Sequence, residues 1–136
     1  MSRPELLLTI AGSLHFLQIP STSHLARRLL KLGPDLAKLS PLNLRIVRIF
    51  MAAASLLILG LGIIVVWRAN EIVSTPLGRS LCALLVLFWS ARAAAQVWLR
   101  SVWPRGGQGN FWYFALLAIY LTVALSYLGA ALSPPS

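Results

Sequence analysis

Residues 44–67 form a nearly uninterrupted apolar run, about 24 residues long, with charge only at Arg45 and Arg48 near its start. A helix rises 1.5 Å per residue, so such a run exceeds the roughly 20 residues needed to cross the hydrocarbon core of a bilayer. Lipid offers no partner for a backbone N–H or C=O, which drives the run into a helix, where every hydrogen bond stays inside the segment. The whole chain fits that constraint. Of its 136 residues 58% are hydrophobic and 11% are charged, with a mean hydropathy of +0.78, against about 25% charged in soluble domains. The chain reads as a single transmembrane domain, residues 1–136.

Four apolar segments are set off by their punctuation. The first, ELLLTIAGSLHFLQI, lies between Pro4 and Pro20 and has 15 residues, short for a span and in need of its flanks. The second follows Ser40 and Pro41, an N-cap and a first-turn proline. The third opens in the same way at Thr75 and Pro76 and runs to about Trp103, before Pro104. The fourth follows RGGQGN, with Asn110 as its cap, and runs over residues 111–132 before SPPS stops it. Spans of about 4–20, 44–67, 76–103 and 111–132 predict an all-α membrane four-helix bundle. Capping accounts for the shared Ser/Thr-Pro-Leu openings, and nothing downstream aligns as a repeat. Arg3, the apolar run and the small Ser21 and Ser23 resemble a signal peptide. His15 and Gln18 interrupt the run, however, and no A-x-A-like site follows, so an uncleaved first span is expected.

Between the first two spans, residues 24–39 space leucines at 25, 29, 32, 36 and 39, with Arg27, Arg28, Lys31 and Lys38 mostly between them and Gly33-Pro34 as a central break. An apolar stripe under a basic face predicts a helix lying in the membrane interface, its cations forming a collar on anionic phospholipid. Orientation follows from the same charges. If this connection is cytoplasmic, that side carries Arg27, Arg28, Lys31, Lys38, Arg45, Arg48, Arg100 and Arg105, against Arg3, Arg68 and Arg79 on the other. Positive charge concentrates on the cytoplasmic side of membrane proteins, so both termini are expected outside the cytoplasm. Trp67 then marks the outer edge, and Trp98, Trp103, Trp112 and Tyr113 mark the inner one.

The twelfth cation, Arg92, falls inside the third span. It lies roughly 20 Å along the helix from Arg79 and about 12 Å from Arg100. A permanently charged guanidinium at that depth either reaches the inner headgroups with its long side chain or turns into the bundle to hold an anion. Gln96, one turn on, is able to complete such a site because an amide donates and accepts at once. Trp89, Arg92, Gln96, Arg100 and Trp103 share a face, with Ala91 and Ala95 opposite. Arg48 and His15 are the remaining candidates for the anion layer. His15 shares a face with Gln18 and is expected to hydrogen-bond between helices rather than to relay protons or ligate haem. Packing is expected along Ala118, Thr122, Ser126 and Ala130, small residues at every fourth position of the last span, facing another helix of this chain or a second protein. MAAAS, Gly60 and Gly62 add small positions in the second span.

Several classes are excluded by what the residues lack. A net charge of +9 and a pI near 11.4 raise nucleic acid as a partner, yet the cations flank apolar segments and no nucleic-acid motif accompanies them. Glu5 and Glu71 are expected at the outer side and Asp35 in the inner connection, so no carboxylate falls in the interior of a span, which argues against an ion-coupled pump. One cysteine, Cys82, cannot form the exchanging pairs of a membrane dithiol enzyme. Metal, P-loop, nucleophile-elbow and dinucleotide patterns are missing, so no cofactor, metal or catalytic set is expected.

The AGSLHFLQIP first span, the LSPLNLRIVRIF start of the second and the FWSARAAAQVWLRSVWPRG end of the third resemble short four-span bacterial inner-membrane proteins. In size and layout the chain is loosely similar to DoxX-like proteins. The resemblance implies location and fold and carries over no site residue. The leading expectation is a non-enzymatic accessory or scaffold protein of the inner membrane. It would pack against lipid, a second copy or a larger membrane complex. The alternative is a small carrier or lipid-modifying enzyme with an anionic ligand at Arg92, Gln96, Arg48 and His15 at the inner leaflet.

Overall fold

The computed structural model describes residues 1–133, which are helical with short connections and contain no strand. Helix α1 (Arg3–Arg28) opens on a capping box. The Ser2 hydroxyl accepts from the Glu5 N–H at 3.4 Å, and the Glu5 carboxylate accepts from the Ser2 N–H at 2.9 Å. Pro20, expected to end the first segment, lies inside this helix. A proline costs a helix one N–H, and buried or membrane helices tolerate it where side chains supply other donors. Pro20 leaves the Phe16 carbonyl without its usual donor, and in the turn that follows the Ser21 and Thr22 hydroxyls donate to the carbonyls of Leu17 and Gln18 at 2.8 and 2.7 Å. The short segment is thereby corrected to a helix of 26 residues, about 39 Å long.

The interfacial helix expected over residues 24–39 is likewise redrawn. Leu25, Arg27 and Arg28 belong to the end of α1, where the two guanidiniums oppose the negative end of the helix dipole. The chain then breaks at Lys31, whose φ of 48° is left-handed, rather than at Gly33-Pro34. Pro34 sits in the first turn of α2 (Leu32–Leu36), where its missing N–H is no loss. This single turn ends in the exposed Lys38–Asp35 pair at 2.8 Å, which raises the Lys38 ammonium above its ordinary range through the hydrogen bond and charge of Asp35.

Helix α3 (Pro41–Trp67) and helix α5 (Pro76–Trp98) begin where their caps predict. The Ser40 hydroxyl accepts from the Asn43 N–H at 3.3 Å, and the Thr75 hydroxyl accepts from the Gly78 N–H at 3.1 Å. The connection between them is itself helical, α4 (Ala69–Ser74), with Ala69, Ile72 and Val73 buried. After Trp98 the chain tightens into a 3-10 turn, Leu99–Ser101, so Trp103 stands in the loop. Its indole donates to the Gly109 carbonyl at 2.9 Å and ties that loop shut. Helix α6 (Gly107–Leu132) starts three residues before the expected cap. Gly106, at φ 121°, makes the turn that a side chain would strain, and Asn110 instead accepts from Arg100 at 3.0 Å. Pro134 and Pro135, assigned the stop, lie outside the described residues.

Three of the four long helices, α3, α5 with its 3-10 extension and α6, are long and apolar enough to cross a membrane. Helix α1 packs against both α3 and α6, and α5 packs along α6. Each of these pairs is antiparallel: Gly12 faces Val66 whereas His15 faces Gly62, His15 meets Tyr127 whereas His24 meets Trp112, and Trp89 stacks on Tyr120 whereas Arg100 lies over Tyr113. Eight cations are thereby gathered at the end where α1 and α5 finish and α3 and α6 start. The α1–α3 crossing is backbone on backbone. A methyl at Gly62 would meet the Gly12 carbonyl at 3.2 Å, and one at Gly12 would press on Val66 at 2.5 Å.

The packing ridge expected on α6 is only half used. Ser126 and Ala130 are buried, whereas Ala118 and Thr122 are exposed. The buried line is Tyr113, Leu116, Tyr120, Val123, Tyr127 and Ala130. Four residues turn a helix through about 400°, so an every-fourth ridge drifts about 40° per step and leaves its partner, whereas alternating steps of three and four stay on it. On α5 the answering line is Gly78, Cys82, Leu85, Trp89, Ala93 and Gln96.

Candidate functional site

The absence of close packing between α3 and α5 leaves a cleft of about 250 Å³. Met51, Ala54, Ser55 and Ile58 of α3 form one wall, and Phe88, Trp89 and Arg92 of α5 the other. Gln18, Thr22 and neighbouring residues of α1 line it, and Tyr120 of α6 completes it. Each helix delivers its residues by ordinary periodicity. Positions 51, 54, 55 and 58 are one face of α3, and 88, 89 and 92 one face of α5.

Arg92 is half-buried and its guanidinium lies over the Tyr120 ring, 4.7 Å from the centroid. A cation over an aromatic face gains about 0.5–2 kcal/mol, the larger figure where water is excluded. Among the described residues no carboxylate answers its charge. The chain has three side-chain carboxylates: Glu5 is held in the α1 capping box, Asp35 pairs with Lys38, and Glu71 pairs with Arg68. Gln18 is 4% exposed, and its Oε1 has no donor. Trp89 lines the same cleft, and its buried indole Nε1 has no acceptor. Buried polar atoms left in this way cost about 1–3 kcal/mol each.

His15 is fully buried next to this cleft rather than in its lining. Its ring stacks on Trp89 at 5.1 Å, and its Nε2 lies 3.5 Å from the Tyr127 hydroxyl, at the long limit of a hydrogen bond, while Nδ1 is without a partner. Trp89 therefore separates the imidazole from Arg92's side of the cavity. Gln96 is fully buried too, with neither amide atom partnered, and it does not line the cleft. Arg48 is exposed on α3 and does not line it either. Of the four residues expected in an anion layer, Arg92, Gln96, Arg48 and His15, only Arg92 lines this cavity, and Gln18 lines it with Arg92. The collar residues Arg27, Arg28, Lys31 and Lys38 are all exposed.

Gln18, Trp89 and Tyr120 enter the site in place of the residues expected there. A signal for Tyr120 was present in the chain, since Tyr113, Tyr120 and Tyr127 recur every seven residues and such a period marks a helix–helix seam. The cleft itself has no local signal, because it arises from a contact that two helices do not make. No protein-family model, curated protein or solved structure matches the chain.

Proposed function

We propose that the chain is a non-enzymatic accessory protein of the plasma (inner) membrane, a four-span bundle in which α1 crosses alongside the three more apolar helices and both termini lie outside the cytoplasm. It packs against lipid or a partner membrane protein, and its basic end, with α2 in the interface, grips anionic phospholipid. One observation carries this reading. Only 11% of the most apolar stretch of α3 is buried, and Ile49, Phe50, Leu56, Leu57, Ile64 and Trp67 are exposed along it. So large an apolar surface belongs against acyl chains or another membrane helix.

Orientation is tested with Cys82 replaced by Ala and single cysteines introduced. Pro34→Cys and Gly107→Cys are expected to resist an impermeant thiol reagent in intact cells, and Asn70→Cys to react. Labelling at Gly107→Cys with protection at Asn70→Cys inverts the topology. For the accessory role, a stoichiometric membrane partner is expected to co-purify in mild detergent and to be lost from a Leu57→Ser/Ile64→Ser variant. Retention by that variant removes α3 as the contact.

The second reading, a small carrier or lipid-modifying enzyme, is favoured by the unanswered Arg92 guanidinium at a cleft. An arginine clamps a carboxylate or phosphate at two points, which lysine cannot reproduce. Arg92→Lys is expected to lower the anionic lipid retained per protein. Equal retention leaves Arg92 as an anchor at the membrane edge.

A further inference from the structure

We propose that the α3–α5 cleft is a lateral binding site for a single-chain amphiphile with an anionic, hydroxyl-bearing headgroup, its chain on Met51, Ala54, Ile58 and Phe88 and its head on Arg92 and Gln18. The inference rests on the reading of Arg92 as an anion ligand and adds the class of molecule and the route by which it enters.

The polar groups of the cleft specify the head. The Thr22 and Ser55 hydroxyls already donate to the carbonyls of Gln18 and Met51 on their own helices, at 2.7 and 2.9 Å. Among the described residues, the groups still seeking partners are the Arg92 guanidinium, whose charge no side-chain carboxylate answers, and the Gln18 Oε1, which is buried and lacks a donor. Together they fit a ligand with an anionic oxygen and an adjacent hydroxyl.

The remaining wall specifies the tail. Met51, Ala54 and Ile58 of α3 and Phe88 of α5 offer no hydrogen-bonding side chain, so a free inorganic anion would leave that surface uncovered while an alkyl chain covers it. The volume of about 250 Å³ is below the roughly 300–1,000 Å³ of clefts that enclose a drug-sized ligand. A cleft of this size takes the head-proximal part of one chain, the remainder lying in the bilayer beside it, and does not take a whole diacyl lipid. The walls belong to helices that are not in close contact, so an amphiphile enters from the bilayer between α3 and α5.

The test uses the full chain in mild detergent with equimolar palmitoyl lysophosphatidylglycerol and palmitoyl lysophosphatidylcholine, bound lipid being read by native mass spectrometry. The glycerol headgroup species is expected to bind one per protein and to be preferred by at least about tenfold, the worth of one charge-assisted hydrogen bond. Arg92→Gln is expected to abolish the preference. Ala54→Trp, at an exposed position of α3 that lines the cleft, is expected to lower binding by about tenfold or more through loss of the chain's place, with an unchanged thermal melt. Millimolar glycerol phosphate is expected not to compete.

Loss of binding in Arg92→Gln with wild-type binding in Ala54→Trp overturns the cleft site and leaves the anion reading of Arg92 standing. Wild-type preference in Arg92→Gln overturns both. Displacement by glycerol phosphate shows a site for the head alone, and equal binding of the two lysolipids shows no recognition of the head; either result overturns the proposal. Should Arg92→Gln fail to fold, Arg92→Lys takes its place, with reduced preference supporting the site and full preference overturning it.

Discussion

Helix α6 and helix α3 are both long apolar helices, yet 39% of the most apolar stretch of α6 is buried against 11% for α3, and α3 is the more apolar of the two. In water that order would be reversed. In a bilayer the lipid tails are as apolar as leucine, so hydrophobicity alone does not draw a helix face into protein; close packing, aromatic contact and polar pairing do. Helix α6 brings Tyr113, Tyr120 and Tyr127 to the seam with α5, where Tyr120 stacks on Trp89 at 5.8 Å and Tyr113 meets Trp103. Helix α3 brings mainly leucine, isoleucine and alanine, and its closest junction is the glycine crossing with α1. The α5–α6 pair forms one side of the molecule and α3, held by α1, the other, and Arg92 sits between α5 and α3, which do not pack closely.

The largest test of this contrast is Trp89→Ala, which empties the centre of the α5–α6 seam and removes the ring stacked on His15. Chemical unfolding in mild detergent is expected to show a loss of about 3–5 kcal/mol. A loss below about 1 kcal/mol, within the range of ordinary surface changes, would move the centre of stability elsewhere.

Next is Gly62→Leu, which overpacks the α1–α3 crossing at a cost of about 1–3 kcal/mol. Disulfide cross-linking between cysteines placed on α1 and α3 is expected to weaken, while cross-linking between α5 and α6 is retained. If both weaken together, α3 is as integral to the bundle as α6 and the contrast fails.

The smallest effect separates the two halves of the small-residue ridge. Thr122→Leu faces outward and is expected to change stability by no more than about 0.5 kcal/mol, whereas Ser126→Leu enters the buried seam and costs about 1–3 kcal/mol. Equal sensitivity of the two positions would reveal a contact on the outer face of α6.

What was legible in the chain divides by the range of the interaction. The Ser40-Pro41 and Thr75-Pro76 starts were readable because a cap is satisfied within three residues of itself. The end of α1 differs from the stop expected at Pro20, since a proline costs one hydrogen bond and the packing of the whole helix decides whether that ends it, and the left-handed turn at Lys31 carries none of the usual glycine signal. Arg92 stood out as a charge in an apolar span. Gln18, which lines the same cleft, did not, because 74 residues separate them in the chain (92 − 18 = 74).

By itself the sequence determined that the chain is helical, that at least three of its helices suit a bilayer, and that its positive charge lies beside particular helix ends. Those properties follow from side-chain hydrophobicity, capping and charge, which act locally or simply add up. Only the tertiary structure decided which face of each helix is covered, that α1 rather than α5 holds α3, and that Arg92 opens on a cleft with Gln18 while Arg48, His15 and Gln96 do not line it. In lipid the apolar pattern no longer distinguishes inside from outside, so the fit of Gly12 to Gly62 and of Trp89 to Tyr120, made between residues distant in the chain, settles the arrangement.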